Sequence, residues 1–276
     1  MEAIQLSQAL GIPLFRTPYF LPNYPQGEWG EWRISRMATG IDHGYYTRRW
    51  VISDMPTLLR RSPNSPDLWE TWMSLTPHEI ESQEPGCLCA TGHTVVMGLG
   101  MGWIALNAAL RPAVRSVTVV ERDKDVIELF YSSAVLRQVE PGIRNKIVIV
   151  HADALEWRPE EPVDFLFADI WRTIADFGAL ADIRRMQGNV GAKRVYFWGQ
   201  ELRLYTAFQR LFGEETPFHL EGIGECVAWD LKLPLVLPWG TEYVERIMAA
   251  VENRRARRLP LQEPQSPVNP TLRPPR

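Results

Sequence analysis

Residues 94–105 read TVVMGLGMGWIA. Thr94–Met97 is a short β-branched and apolar run, the pattern of a buried strand. Gly98, Gly100 and Gly102 follow at alternate positions, and from Ile104 to Leu110 the chain turns to helix-forming residues. Strand, glycine turn and helix in that order make a nucleotide-binding βα unit. The spacing discriminates between ligands. A dinucleotide fingerprint is G-x-G-x-x-G, whose third glycine lets helix and strand pack closely around a pyrophosphate. Trp103 stands at that third position, and Gly102 falls one residue early. The pattern here is G-x-G-x-G, a loop of bare backbone open to a ligand that lacks pyrophosphate. A glycine turn that holds no ligand is the competing reading.

Three further strands argue against that competing reading. Ser116–Val120 (SVTVV) ends at Glu121, and an acid about 20 positions after such a turn can accept hydrogen bonds from both ribose hydroxyls. Lys146–Val150 (KIVIV) is followed by Asp153 in HADAL, and Val163–Ala168 (VDFLFA) ends at Asp169. Apolar strands alternating with helical stretches predict an α/β fold with a doubly wound, Rossmann-like parallel sheet.

The residues GLGMG resemble motif I of the class I S-adenosylmethionine (SAM) methyltransferases. VTVVERDKDVIEL resembles the second strand and following helix of that superfamily. The resemblance implies that Gly98, Gly100 and Gly102 face the cofactor and that Glu121 holds its ribose. It also implies that Asp153, with Ala154 beside it, holds the adenine. A small β region, a short acidic helix and then this fold is the organisation of the spermidine synthase (aminopropyltransferase) branch, which uses decarboxylated SAM. That branch carries an Asp-Ser-x-Asp-Pro run after strand four. Here the run is Asp169-Ile170-Trp171-Arg172, so the branch's catalytic Asp maps to Asp169 and its second Asp has no counterpart. Its Tyr-His-Glu stretch has a loose counterpart in His78-Glu79. The sheet order of the superfamily places the switch point between strands one and four, so the glycine loop and Asp169 should border one crevice.

The remainder of the chain frames this unit. Ala3–Leu10 reads as a short helix ended by Gly11 and Pro13. Glu31–Met37 and Tyr45–Ile52 read as strands around a turn at Gly40–Gly44, and Leu68–Leu75 as another strand. Thr76-Pro77-His78-Glu79 predicts a helix start with Thr76 as N-cap and Glu79 three residues on, running to about Gln83. Beyond strand four, Ile174–Met186 predicts an amphipathic helix closed by Gly188 and Gly191. Val195–Trp198 reads as strand five and Leu202–Phe212 as a helix. CVAWD and LPLVLP, within Glu225–Leu237, read as a final antiparallel hairpin, and Thr241–Arg258 as a helix. The expected division is a β-rich extension over 1–90, a SAM-binding domain over 91–258 and a Pro-rich tail over 259–276, expected to be disordered.

Composition sets bounds. The 276 residues carry 45% hydrophobic residues, enough for a sizeable core, and 11 tryptophans. A net charge of -3 argues against a general nucleic-acid footprint. Cys87, Cys89 and Cys226 give no disulfide framework and no zinc spacing, so a reduced, cytoplasmic protein is expected. The start, MEAIQLSQALGIPLF, lacks a basic stretch and is not read as a signal peptide, and no apolar run is long enough to predict a membrane span. The five histidines show no paired metal spacing, so no metal site is expected. Arg254, Arg255, Arg257 and Arg258 cluster at a helix C-terminus, where cations suit the dipole.

These features predict a SAM-dependent methyltransferase whose acceptor is a small molecule, with an amine favoured because Asp169 would face it. A carboxylate there can hold an amine, take its proton or stabilise developing positive charge. An N-cap role for Asp169 is the alternative. Two other functions compete. One is an aminopropyltransferase, which needs further carboxylates, for which Glu79 and Asp176 are the candidates. The other is a non-catalytic protein that keeps the fold, since Trp103 in the glycine loop would crowd a ligand. The β extension and the tryptophans also suggest a homodimer.

Overall fold

The computed structural model describes residues 2–259. The Pro-rich tail therefore lies outside the described residues, except for Leu259. Helix α1 (Ala3–Leu10) ends on Gly11 in the left-handed conformation, as Gly11 and Pro13 predict. Six short strands follow: β1 (Gly27–Trp29), β2 (Trp32–Arg36), β3 (Gly40–His43), β4 (Arg49–Ile52), β5 (Pro56–Ser62) and β6 (Ser65–Ser74). Four of them form an antiparallel sheet in the order β1-β2-β5-β6, while β3 and β4 make a separate hairpin. The residues read as a turn, Gly40–His43, are a strand, and the reversal comes later, where the Gly44 amide donates to the Arg48 carbonyl.

Helix α2 (Pro77–Cys89) leads into the second layer. It runs past the predicted end at Gln83, straight through Pro85 and Gly86. Close packing selects glycine at 86, since a Cβ there would lie 2.0 Å from the Phe167 ring. After it come β7 (Gly92–Met97), α3 (Trp103–Ala109), β8 (Val114–Glu121), α4 (Lys124–Ser132), α5 (Pro141–Arg144) and β9 (Ile147–His151). Then follow β10 (Phe165–Ala168), α6 (Ala179–Val190), β11 (Arg194–Phe197), α7 (Gln200–Phe212), α8 (Leu220–Glu225) and α9 (Thr241–Ala256).

The five later strands form one sheet in the order β11-β10-β7-β8-β9, every pair parallel. β8 and β10 flank β7, so strand order reverses beside β7 and the carboxyl ends of β7 and β10 bound the switch point. Both faces of β7 and β10 are buried, which is why they read as continuous apolar runs rather than alternating ones. One face packs under α2 and α3 with Val96, Phe165, Phe167 and Tyr196; the other packs under α6 with Val95, Met97, Leu166 and Phe197.

The antiparallel hairpin expected over Glu225–Leu237 is absent. Cys226–Leu231 is a π-helical turn, and Leu235 makes one isolated parallel bridge to Val195. Prolines at 234 and 238 remove ladder donors on both sides of the second apolar run. The helix after strand four also starts late, at Ala179, and passes through Gly188 to end at Gly191. No helix among the described residues is long and apolar enough to cross a membrane.

Candidate functional site

The glycine turn sits beyond the end of β7, bound between its neighbours. The Gly98 amide donates to Val120 O, and the Leu99 amide donates to Glu121 Oε2 at 2.9 Å. Gly98 has φ of 95°, and a Cβ on it would meet the Asp169 carbonyl oxygen at 2.1 Å. Glycine at 98 is therefore what lets the β7 and β10 loops touch. Gly100 has φ of 50° and lies under Met73 of β6, whose sulfur would be 2.5 Å from an added Cβ. Gly102 precedes α3 and packs on the Phe130 ring. Protein thus covers one side of the loop at each glycine. The Gly100 amide, by contrast, donates to no acceptor among the described residues and belongs to a partly exposed residue, whereas Met101 is fully buried.

Glu121 ends β8 next to this turn. Its two oxygens each accept one backbone amide, Leu99 and Asp123. Each oxygen keeps a further lone pair, so the carboxylate is held in place and can still accept two hydroxyls. On the neighbouring strand, Asp153 Oδ1 accepts the Leu155 amide at 2.8 Å, an Asx turn that fixes the loop after β9. The methyl of Ala154 is buried against Val95, Met97 and Val120, and its amide donates to nothing among the described residues. A free N–H beside an acid suits a ring edge that offers a nitrogen acceptor next to an amino donor. The donor set therefore fits a nucleoside.

Asp169 follows β10 on the other side of the turn, its amide held by Met97 O. It does not cap a helix: α6 starts only at Ala179, after Gly178. Its side chain meets α2 instead. Gln83 Nε2 donates to Asp169 Oδ2 at 3.0 Å and to Glu79 Oε1 at 2.7 Å. Glu79 is 8% exposed and Gln83 1%. Burial pushes the Asp169 carboxyl up to about 7. Burial, and then the charge of Asp169, holds Glu79 well above the usual carboxylate range. The predicted Thr76–Glu79 capping box does not form, because Thr76 pairs with Ser74 and Glu79 turns inward to Gln83.

Gln83 was not legible as a site residue, and Glu79 only loosely so. Their spacing of four on a helix is the one signal that places both on the same face. Asp176 stays outside the cluster, since its Oδ1 closes a local turn by accepting the Gly178 amide. Trp103 does not crowd the crevice. It is 1% exposed and packs on Tyr19 and the core. Trp171 is likewise a core residue, donating to Asp182. The C-terminal arginines are not simply solvated. Arg257 donates to Gly44 O, Arg255 to Tyr205 and Arg254 is buried, so together they tie α9 to the β3–β4 hairpin and α7.

No family model and no curated protein matches the chain. Solved structures that it partly resembles include proteins described as methyltransferases. It is similar to the glycopeptide N-methyltransferase MtfA complexed with S-adenosylhomocysteine, at 17% identity over 40% of this chain and 41% of that one, with a TM-score of 0.31. It is similar to a protein of Pyrococcus horikoshii described as an RNA methyltransferase, at 19% identity over 46% and 62%, with a TM-score of 0.34. The YcgJ protein from Bacillus subtilis matches at 17% identity over 38% and 43%, with a TM-score of 0.29. The chain spans about two-fifths of the length of the first of these. Each overlap is confined to under half of this chain, so what the site does is argued from its own residues.

Proposed function

We propose that the protein is a SAM-dependent methyltransferase acting on a small amine. The observation that carries this reading is the arrangement around the switch point. A ribose-competent carboxylate, Glu121, and the unpaired Gly100 amide lie on one side of the turn, and a buried carboxyl pair on the other. In this reading the Gly100 amide takes the carboxylate of the cofactor's amino-acid end, Glu121 the ribose, and Asp153 with the Ala154 amide the adenine. When bound, SAM would supply an electrophilic methyl group, whose bond to sulfur breaks as the bond to the acceptor nitrogen forms, so that S-adenosylhomocysteine leaves.

The chain's own residues supply the rest. Asp169 orients the acceptor nitrogen and takes its proton as the nitrogen forms its new bond to carbon. Gln83 holds Asp169 in place and ties it to Glu79. With Asp169 pushed up to about 7, it is poised to accept a proton near neutrality. The same carboxyl pair favours a second reading, aminopropyl transfer from decarboxylated SAM, because Glu79 supplies the additional acid that this reaction requires.

Calorimetry with S-adenosylhomocysteine tests the first reading. Glu121→Ala should weaken binding by about tenfold or more, the worth of hydrogen bonds to a charged group. Unchanged affinity would place the ribose elsewhere. An amine acceptor is further supported if Asp169→Asn slows turnover by about 100-fold or more while leaving that affinity alone.

A further inference from the structure

Strand β6 is tied to the loops on both sides of the switch point. Its Met73 lies on Gly100 in the loop after β7. Its Glu70 meets Arg172, in the loop that Asp169 begins, at 2.8 Å. A bulge skips Trp72 in the pairing with β5, so that Trp72 and Met73 both turn to the core side of the sheet. Arg60 of β5 pairs with Glu70 on one side and Trp32 on the other, and therefore shares that face. Its guanidinium lies over the Trp32 ring at 5.4 Å and the Trp72 ring at 5.5 Å, and the two rings meet edge to face. A cation–π contact holds the charge in place and consumes no N–H donor. Arg60 is exposed and makes no hydrogen bond or ion pair among the described residues. The acid opposite it is already committed, since Glu70 Oε1 accepts the Ser62 hydroxyl at 2.7 Å and Oε2 takes Arg172. Arg60 is thus a held cation with its donors unanswered, next to the strand that covers the unpaired Gly100 amide.

A fixed guanidinium together with a backbone N–H is the complement of a carboxylate. We propose that Arg60 joins the Gly100 amide in binding the carboxylate of SAM, and that it thereby selects SAM over decarboxylated SAM. This rests on the cofactor reading above and names the residue that separates methyl from aminopropyl transfer. At its amino-acid end SAM carries both an ammonium and a carboxylate, and Arg60 answers the carboxylate. Decarboxylated SAM presents the ammonium alone, which gains nothing from Arg60 and is repelled by it. Sequence position gives no hint of this role, because Arg60 lies far from the glycine turn and in a strand that its own charge conceals. The bulge at Trp72 and the contact of Met73 with Gly100 are what bring it to the site.

The test is calorimetric titration of the full chain with SAM and with decarboxylated SAM, repeated on Arg60→Gln and Arg60→Lys. The unaltered protein should bind SAM at least about tenfold more tightly than decarboxylated SAM. Arg60→Gln should weaken SAM by about tenfold or more and leave decarboxylated SAM unchanged or tighter, which also shows that the variant is folded. Arg60→Lys keeps the charge and should keep part of the preference. A preference for SAM that survives intact in Arg60→Gln overturns the proposal, and so does an equal loss of both ligands. In those two cases SAM still binds the unaltered protein and only the role of Arg60 falls. If neither ligand binds the unaltered protein, the cofactor reading falls and the proposal with it.

Discussion

At the scale of single residues, buried carboxyls do opposite jobs according to what surrounds them. Glu79 and Glu81 are two positions apart on α2 and both buried. Glu81 is fully engaged: Oε2 accepts the Tyr46 and Thr47 amides at 3.0 and 3.1 Å, and Oε1 accepts the Thr47 hydroxyl. It is a fastener for the β3–β4 hairpin. Glu81→Ala should cost about 2–4 kcal/mol in urea unfolding by orphaning those amides, with S-adenosylhomocysteine affinity unaltered. Asp169 is the contrasting case, with one oxygen held and one free. As a base it works only ionised. Because burial pushes it up to about 7, turnover should rise with pH through about 7 and level above it. A pH–rate profile flat from pH 5 to 8 would remove Asp169 from that role.

At the scale of elements, the switch point is made by close backbone approaches. Gly100→Ala sets a methyl against Met73 in a left-handed conformation and should cost about 1–3 kcal/mol. Met73→Ala should recover part of that cost in the double variant, and a double-mutant cycle with no coupling would deny the contact. The strand–turn–helix units from β7 to β11 were legible in the sequence because parallel strands covered by helices read as nearly unbroken apolar runs. The N-terminal region was less so. Tyr45–Thr47 looks like strand, yet its amides bond Glu81 rather than a ladder, so only Arg49–Ile52 pairs. β5 begins on Pro56 and ends in Arg60-Arg61-Ser62, which hides it, although Arg60 and Arg61 lie over tryptophan rings of the same sheet. α2 was cut short because Pro85-Gly86 reads as a breaker, whereas packing against Phe167 and Tyr196 overrides that signal. The same misreading concealed Gln83, since a residue at the expected end of a helix gives no hint of the crevice it faces.

At the scale of the whole molecule, burial of acids shapes stability. Asp169, Glu84 and Glu201 are each pushed up to about 7, chiefly by burial. Glu201 is the most enclosed, with the hydroxyls of Tyr45, Tyr196 and Tyr243 donating to it. In the unfolded chain such acids titrate near 4, so between about pH 4 and 7 the native state binds more protons. Stability should therefore fall as pH rises across that window and flatten above it. Glu201→Gln keeps an acceptor for Tyr243 and should show a shallower fall in chemical denaturation from about pH 5 to 8. An equal or steeper fall would mean Glu201 is ionised at little cost in the fold. The antiparallel sheet reaches, through Met73 of β6, the loop that ends β7, so β6 helps to wall that loop. The central claim is that this crevice is built for SAM. Calorimetric titration with SAM, S-adenosylhomocysteine, decarboxylated SAM and NAD tests it most directly. SAM and S-adenosylhomocysteine should bind at micromolar concentration, decarboxylated SAM more weakly and NAD not at all. Binding of NAD alone, or of none of the four, would contradict it.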